Sequence, residues 1–352
     1  MSPLRIAFLD VGQGDTTVIY DPDSKEAVIV DCANSVSALQ FLKSEGITRL
    51  RALVLTHPHL DHYAAAVTLF ENCGAHNIVW DAWIMRWDKA FGRIPSILVD
   101  ADRHPAMLGD DRVQKSALTK LYAWSRQSEN KKKHIEPHQL AKVQRITQSL
   151  DFLHPLHPDV QELFETGNLN NLSYVIKVSD GESALLAGDI EPAGWEFLRA
   201  NHQNLQSEIL KFPHHGGAWD GQSVANLLDE VKPQFVIISV GTRNAYNHPS
   251  DAVFTEIRQH PKTRLLCTEA TPKCGQDLDI QTKEILSLVK KRNKLGALIS
   301  QRARGCPCAG TIIVELGDEA KVIDPDILFH QHQIIRSHLT TPQCIPLGTA
   351  WL

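Results

Sequence analysis

Thr56-His57-Pro58-His59-Leu60-Asp61-His62 follows directly on the apolar run 52–55, so four metal-capable side chains stand within six residues at the end of a predicted strand. A strand that stops at Thr56 releases the chain into an irregular turn, and such a turn can aim His57, His59, Asp61 and His62 into one cleft. Imidazole with carboxylate suits zinc, manganese or iron rather than calcium, which takes oxygen ligands. Taken alone, the stretch also reads as a polar surface loop.

The pattern of apolar strand and polar tip recurs along the chain. Residues 4–9 are apolar and lead into Asp10-Val11-Gly12-Gln13-Gly14-Asp15, and the β-branched runs 16–20 and 27–30 continue a predicted β-meander. Val36, Leu39 and Leu42 carry helical spacing over 35–45, with Ser35 as its expected cap. A helix is expected over 64–72, directly after the histidine motif. Further on, a strand over 183–187 ends in Gly188-Asp189, and one over 208–212 runs into Pro213-His214-His215-Gly216-Gly217. A last strand, 235–240, opens the loop that carries His248. Between about 80 and 165 the periodicity weakens, which predicts an inserted, largely helical subregion. Alternating strands, polar tips and helices predict a layered two-sheet α/β protein with its site along one sheet edge.

Composition limits what such a site can belong to. The 352 residues, 43% of them hydrophobic, suffice for a sizeable core, and the formal net charge of -5 argues against a generally basic nucleic-acid-coating protein. No segment reads as a secretory leader or as a membrane span, so the expectation is a soluble, cytoplasmic protein with no membrane partner. Lys131-Lys132-Lys133, Lys290-Lys291-Arg292-Asn293-Lys294 and Arg302-Ala303-Arg304 are cationic clusters that read either as a phosphate track or as solvated helix faces. Of seven cysteines, Cys267, Cys274, Cys306 and Cys308 form two pairs beside predicted strands, the arrangement of a four-thiolate structural zinc over about 264–316, or of reduced thiols in neighbouring loops. The tail 325–352 reads as a docked helix or as a partner-binding segment, and the sequence leaves protein partners and oligomeric state open.

The ordered set His57-Pro58-His59-Leu60-Asp61-His62, Gly188-Asp189 and His214-His215-Gly216 resembles the metallo-β-lactamase superfamily, which implies an αββα sandwich, here over residues 1–324. Phe8 through Asp15, Asn171-Leu172-Ser173, Lys211 through Gly216, and Ser239-Val240-Gly241 with Asn247-His248-Pro249 are similar to the nuclease domain of ComEC-type DNA-uptake proteins. The match spans about residues 4–250, without the membrane channel. Two departures stand out: Tyr63-Ala64-Ala65 where that family commonly has a glycine pair, and Gly217 where it usually has serine. Neither removes a ligand.

On this reading His57 and His59 hold one divalent metal, Asp61 and His62 a second, and Asp189 bridges them. One of His214 and His215 completes the second sphere, and the sequence does not choose between them. The resemblance places Asn171 where many members have a third histidine, an oxygen-leaning change that shifts preference from zinc towards manganese. It also implies Asn171 and Ser173 as substrate-binding residues. Asp61, Asp189 and His248 are the expected catalytic groups, with His248 donating to a phosphate or leaving group, or else structural before Pro249. Asp10 and Asp15 are expected behind the metal-bound histidines as acceptors, or as turn builders. The implied activity is metal-dependent phosphodiester hydrolysis, with DNA as substrate. Hydrolysis of a small phosphodiester, cyclic nucleotide or lactone is the alternative, and a non-catalytic or partner-activated subunit is the second.

Overall fold

The computed structural model describes residues 1–85, 112–156, 159–202, 204–242, 244–260, 262–274 and 306–323, with the side chains of 112–114 and 306–307 outside the description. Strands follow in the order β1 (Arg5–Phe8), β2 (Thr17–Asp21), β3 (Glu26–Val30), β4 (Arg49–Val54), β5 (Val79–Ile84), β6 (Leu150–His154), β7 (Val175–Asp180) and β8 (Glu182–Leu186). They continue as β9 (Ile209–Lys211), β10 (Phe235–Ile238), β11 (Arg264–Cys267), β12 (Glu269–Ala270), β13 (Cys306–Pro307), β14 (Ile312–Glu315) and β15 (Lys321–Val322). One sheet runs β15-β14-β1-β2-β3-β4-β5, the other β11-β10-β9-β8-β7-β6.

Alternation along the strands sorts the apolar side chains into two faces. Ile6, Phe8, Val28, Val54 and Ile84 of the first sheet meet Ile176, Leu186, Ile209, Ile237 and Leu266 of the second in a central core. On the outer faces, Val18, Ile29 and Leu53 pack with Leu39 and Leu69 of the helices Ser35–Ser44 and Ala66–Cys73. Leu185, Leu210 and Val236 pack with Leu198, Leu227 and Phe254 of the helices Pro192–Asn201, Gly221–Val231 and Asp251–Gln259. This is the expected helix–sheet–sheet–helix order.

Several boundaries differ from the sequence reading. Asn34, not Ser35, caps the first helix, its side chain accepting from Ser37 N–H. Residues 79–84 and 150–154, read as part of the inserted subregion, are strands β5 and β6 of the two sheets. Asp81 disguises β5, yet it pairs with Arg49 and Arg51 of the neighbouring β4. Between β5 and β6 the described residues are helical at Arg112–Ser125, Ser128–Lys132 and Arg145–Gln148, as expected. Lys133 there is no free phosphate contact: its Nζ donates to Trp80 O at 2.8 Å and sits 3.6 Å from the Trp80 ring centre. Lys132 pairs with Glu129. The other two cationic clusters and the tail 325–352 lie outside the described residues.

Backbone pairing brings the cysteines of the proposed zinc element to one corner. Cys267 ends β11, Cys306 pairs with Ala270 across β12 and β13, and Cys308 N–H donates to Thr268 O at 3.0 Å. Cys274 closes the turn Pro272–Cys274, where its buried thiol accepts from Thr271 N–H at 3.3 Å. The fourth thiol, Cys306, lies outside the described side chains, so the four-cysteine zinc stays a proposal.

Candidate metal centre

The parallel strands β3, β4, β8, β9 and β10 all end at one edge, and the site is built on those ends. After β4, His57 Nε2 and His59 Nδ1 lie 3.0 Å apart, two nitrogens aimed at one point. His57 Nε2 is 3.9 Å from Asp189 Oδ2, which follows β8. On the other side of that carboxylate, His62 Nε2 is 3.1 Å and His215 Nε2 3.6 Å from the same oxygen. Asp61 closes this half, 3.3 Å from His215 Nε2 and 3.9 Å from His62 Nε2. Asp189 Oδ2 therefore stands between a His57/His59 pair and a His62/His215/Asp61 group.

Of His214 and His215, left open by the sequence, it is His215 that the structure brings into the group of donors. Both hold left-handed backbone, φ 51° and 52°, uncommon for non-glycine residues and recurrent at functional sites. That kink sends the two neighbouring rings to different partners. His215 is buried in the cluster, while His214 Nδ1 lies 3.3 Å from Glu191 Oε1 at the rim.

Behind the donors stands a layer that orients them. His62 Nδ1 is 2.7 Å from Asp31 Oδ2, and Asp31 also accepts from Thr56 N–H and Thr56 Oγ1–H, each at 2.8 Å. His215 Nδ1 donates to Ser239 O at 2.7 Å. Such outer carboxylates and carbonyls fix the tautomer that turns Nε2 inward. Asp15, His62, Asp189 and His215 offer donor atoms within 4.8 Å of one another, which admits Asp15 as a ligand. Its position argues for the outer role: its oxygens lie 3.8 Å from the Nδ1 edges of His62 and His215, and it forms an ion pair with buried Lys211. Asp10 is buried in the adjoining turn, its Oδ1 accepting from Gly12 N–H at 3.4 Å.

Asn171 and Ser173 are both buried beside the centre and bonded to main-chain groups. Asn171 Oδ1 accepts from the N–H groups of Glu191 and Gly194 at 3.0 and 3.1 Å, capping the helix Pro192–Asn201, whose own N-cap residue supplies no side-chain bond. Ser173 is fully buried and its Oγ accepts from Asp189 N–H at 3.1 Å, so it positions the bridging carboxylate. Both are supports of the site. His248 stands at the rim, its ring centre 5.4 Å from that of His214. Burial and the neighbouring His214 and His215 lower its pKa to about 4, so its imidazole is neutral at pH 7. Asp31, Lys211 and Glu191 escaped the sequence reading. Asp31 ends an apolar run as Asp10 and Asp189 do, and Lys211 is a lone cation inside an apolar strand. Those were the available signals.

Charge is concentrated here on buried side chains. Burial opposes a charged His215, yet Asp189, Asp15 and Asp61 raise its pKa to about 9. Burial likewise opposes a charge on His62, and Asp189, Asp31 and Asp61 raise it well above the ordinary value. For Asp189 the order is reversed: burial raises its pKa, and His62 and His215 bring it well below the usual carboxylate range. A raised histidine pKa contributes stability below its unfolded value near 6.5, and that contribution is lost as pH rises through the folded value. Metal-free protein is thus expected to lose thermal stability between about pH 6.5 and 9. Divalent metal, which must displace these protons, is expected to stabilise more strongly over the same interval. Melting curves with chelator and with zinc across that range check both, and a metal-free melting temperature that rises with pH would sink the assignment of His62 and His215.

The donor set fits divalent cations. Asp189 Oδ1 and His215 Nε2 are buried without a hydrogen-bond partner, and four imidazole nitrogens with two carboxylates converge on them. His57, His59 and Asp189 would hold one ion; His62, His215, Asp61 and Asp189 the other.

Comparison with known proteins agrees with this geometry. Residues 9–237 match the model of the metallo-beta-lactamase superfamily. ComE operon protein 3 of Bacillus subtilis is 25% identical over 285 residues, 75% of this chain but 32% of that protein. Competence protein ComA of Neisseria gonorrhoeae is 38% identical over 93 residues, 26% of this chain and 13% of its own. The chain thus spans about a third or less of the length of these curated relatives. Among solved structures, the metallo-beta-lactamase fold protein YhfI of Bacillus subtilis aligns over 72% of this chain and 93% of its own, at 12% identity and a TM-score of 0.38. Among the described residues no helix is long and apolar enough to cross a membrane. With the family match covering well over half the chain and the histidines and aspartates gathered as described, the protein belongs to the metallo-beta-lactamase superfamily.

Proposed function

We propose that the chain is a metal-dependent phosphodiesterase that cleaves DNA. The observation that carries this is the position of Asp189 Oδ2 between the His57/His59 pair and the His62/His215/Asp61 group. A pair of divalent ions held there supplies an acidified water and neutralises the charge of a phosphoryl group. The chain's own residues do the rest. Asp31, Ser239 and Thr56 hold the imidazoles in register, and Ser173 fixes Asp189. His248, neutral at pH 7, can accept a proton or a hydrogen bond at the rim, while Glu191 orients His214 beside it. DNA as substrate is supported by the likeness to the two competence-related proteins and by the motifs shared with the ComEC-type nuclease domain.

Incubation of the purified chain with single-stranded and duplex DNA under zinc, manganese and magnesium tests this. Cleavage is expected to require metal and to fall at least about a hundred-fold in His59→Ala, the scale on which one fixed stabiliser of a developing charge is lost. Full activity in that variant would remove His59 from the centre. Hydrolysis of bis(p-nitrophenyl) phosphate without any cleavage of DNA would overturn the DNA assignment and leave the hydrolytic one.

A further inference from the structure

At the rim of the metal centre an aromatic row leads outward. The His214 ring centre lies 5.4 Å from that of His248, and the Tyr246 ring stacks on His248 at 5.6 Å with 16° between planes. Tyr246 remains 69% exposed, which makes it the aromatic side chain among the large hydrophobics left exposed in the described residues. The backbone on either side of this ring is tied together by Asn244. Asn244 Nδ2 donates to Gly241 O at 2.8 Å and to His248 O at 3.1 Å, and Asn244 Oδ1 accepts from His248 N–H at 2.7 Å. The loop is cross-tied on both sides of Tyr246.

Gly217 seats the middle ring. A Cβ at that position would meet His248 Cε1 at 2.0 Å and both ring nitrogens at 2.5 Å, so the imidazole lies against a bare Cα. An exposed aromatic face on a cross-tied loop, beside a centre read as that of a phosphodiesterase, has a natural occupant. We infer that Tyr246, backed by His248, is the stacking platform for a base of a single-stranded stretch of the DNA substrate. The inference rests on the reading of that substrate as DNA. Stacking of this kind tolerates any sequence, because every base has a π face. It places a nucleoside on the outer ring while the neighbouring phosphate reaches the donors around Asp189.

The test is equilibrium binding of the full chain, in chelator so that no cleavage intervenes, to a labelled oligothymidylate and to an abasic strand of equal length. The parent is expected to prefer the base-bearing strand about ten-fold, within the range of one base–aromatic stack. Tyr246→Ala is expected to lose that preference and Tyr246→Phe to keep it, since the ring and not the hydroxyl makes the platform. Gly217→Ser, which must displace the His248 ring, is expected to weaken it. Equal binding of both strands by the parent, or an unchanged preference in Tyr246→Ala, would overturn the platform; an unchanged preference in Gly217→Ser would overturn the part given to His248. A base preference in a chain that cleaves DNA with no metal would leave the platform standing and remove the proposed reaction.

Discussion

Asp189→Ala is expected to bind neither of two metal ions stably and to lower phosphodiester hydrolysis by about three orders of magnitude, at the upper end of what removing one fixed electrostatic group costs. The reason lies in its place. One oxygen of Asp189 is 3.9 Å from His57, 3.1 Å from His62 and 3.6 Å from His215, so this carboxylate faces both halves of the centre. Asp61 lies 3.9 Å from His62 Nε2 and 3.3 Å from His215 Nε2, on the second half of the centre. Removing the shared anion also changes the protons: His62 and His215 owe their raised pKa values to Asp189 before any other group. Metal analysis of the dialysed variant, with zinc-dependent melting, separates loss of ligand from loss of fold. Retention of two ions per chain would show that Asp189 is not the bridge. Asp189→Asn sharpens the case, since it keeps the volume and the backbone bond to Ser173 while removing the charge.

Why some of this site was legible in the sequence follows from where its parts lie. His57, His59, Asp61 and His62 share one turn, so their spacing alone announces a metal site. Asp189 and His215 are distant in sequence but each closes an apolar strand, and parallel pairing of β8 with β9 puts those ends side by side. Asp31 follows the same rule, yet its role depends on β3 pairing in parallel with β4, which brings it beside Thr56. Nothing in one sequence announces that neighbour. Asn171 has a contact that no spacing announces. The resemblance pointed to Asn171 as a substrate contact standing where many members have a third histidine; in the fold, the helix beginning at Pro192 lacks a cap of its own and takes the Asn171 oxygen. Gly194 leaves room for that bond, since a Cβ there would come within 2.7 Å of Asn171 Oδ1. Strand β5 was missed because Asp81 interrupts its apolar run, and the partners that satisfy it, Arg49 and Arg51, sit a strand away.

Lys211→Met is expected to destabilise the metal-free protein by about 3–5 kcal/mol, the cost of leaving a buried charge without its partner. Lys211 and Asp15 are both almost fully buried and form an ion pair behind the histidines. Burial disfavours the ammonium, yet Asp15, Asp189 and Asp31 together raise its pKa, so the cation belongs to the whole carboxylate cluster. Take it away and Asp15 loses its ion-pair partner, leaving only the Nδ1 edges of His62 and His215 at 3.8 Å, both already engaged by Asp31 and Ser239. The double variant Lys211→Met/Asp15→Asn removes both charges and is expected to regain most of the loss, because a buried pair replaced as a unit costs little. Metal gives the independent readout. A divalent ion entering the same cluster restores positive charge, so zinc is expected to raise the melting temperature of Lys211→Met by more than it raises that of the parent. A single variant as stable as the parent, or a double variant no better than the single, would mean that Lys211 is a packing residue and that the cluster balances its charge without it.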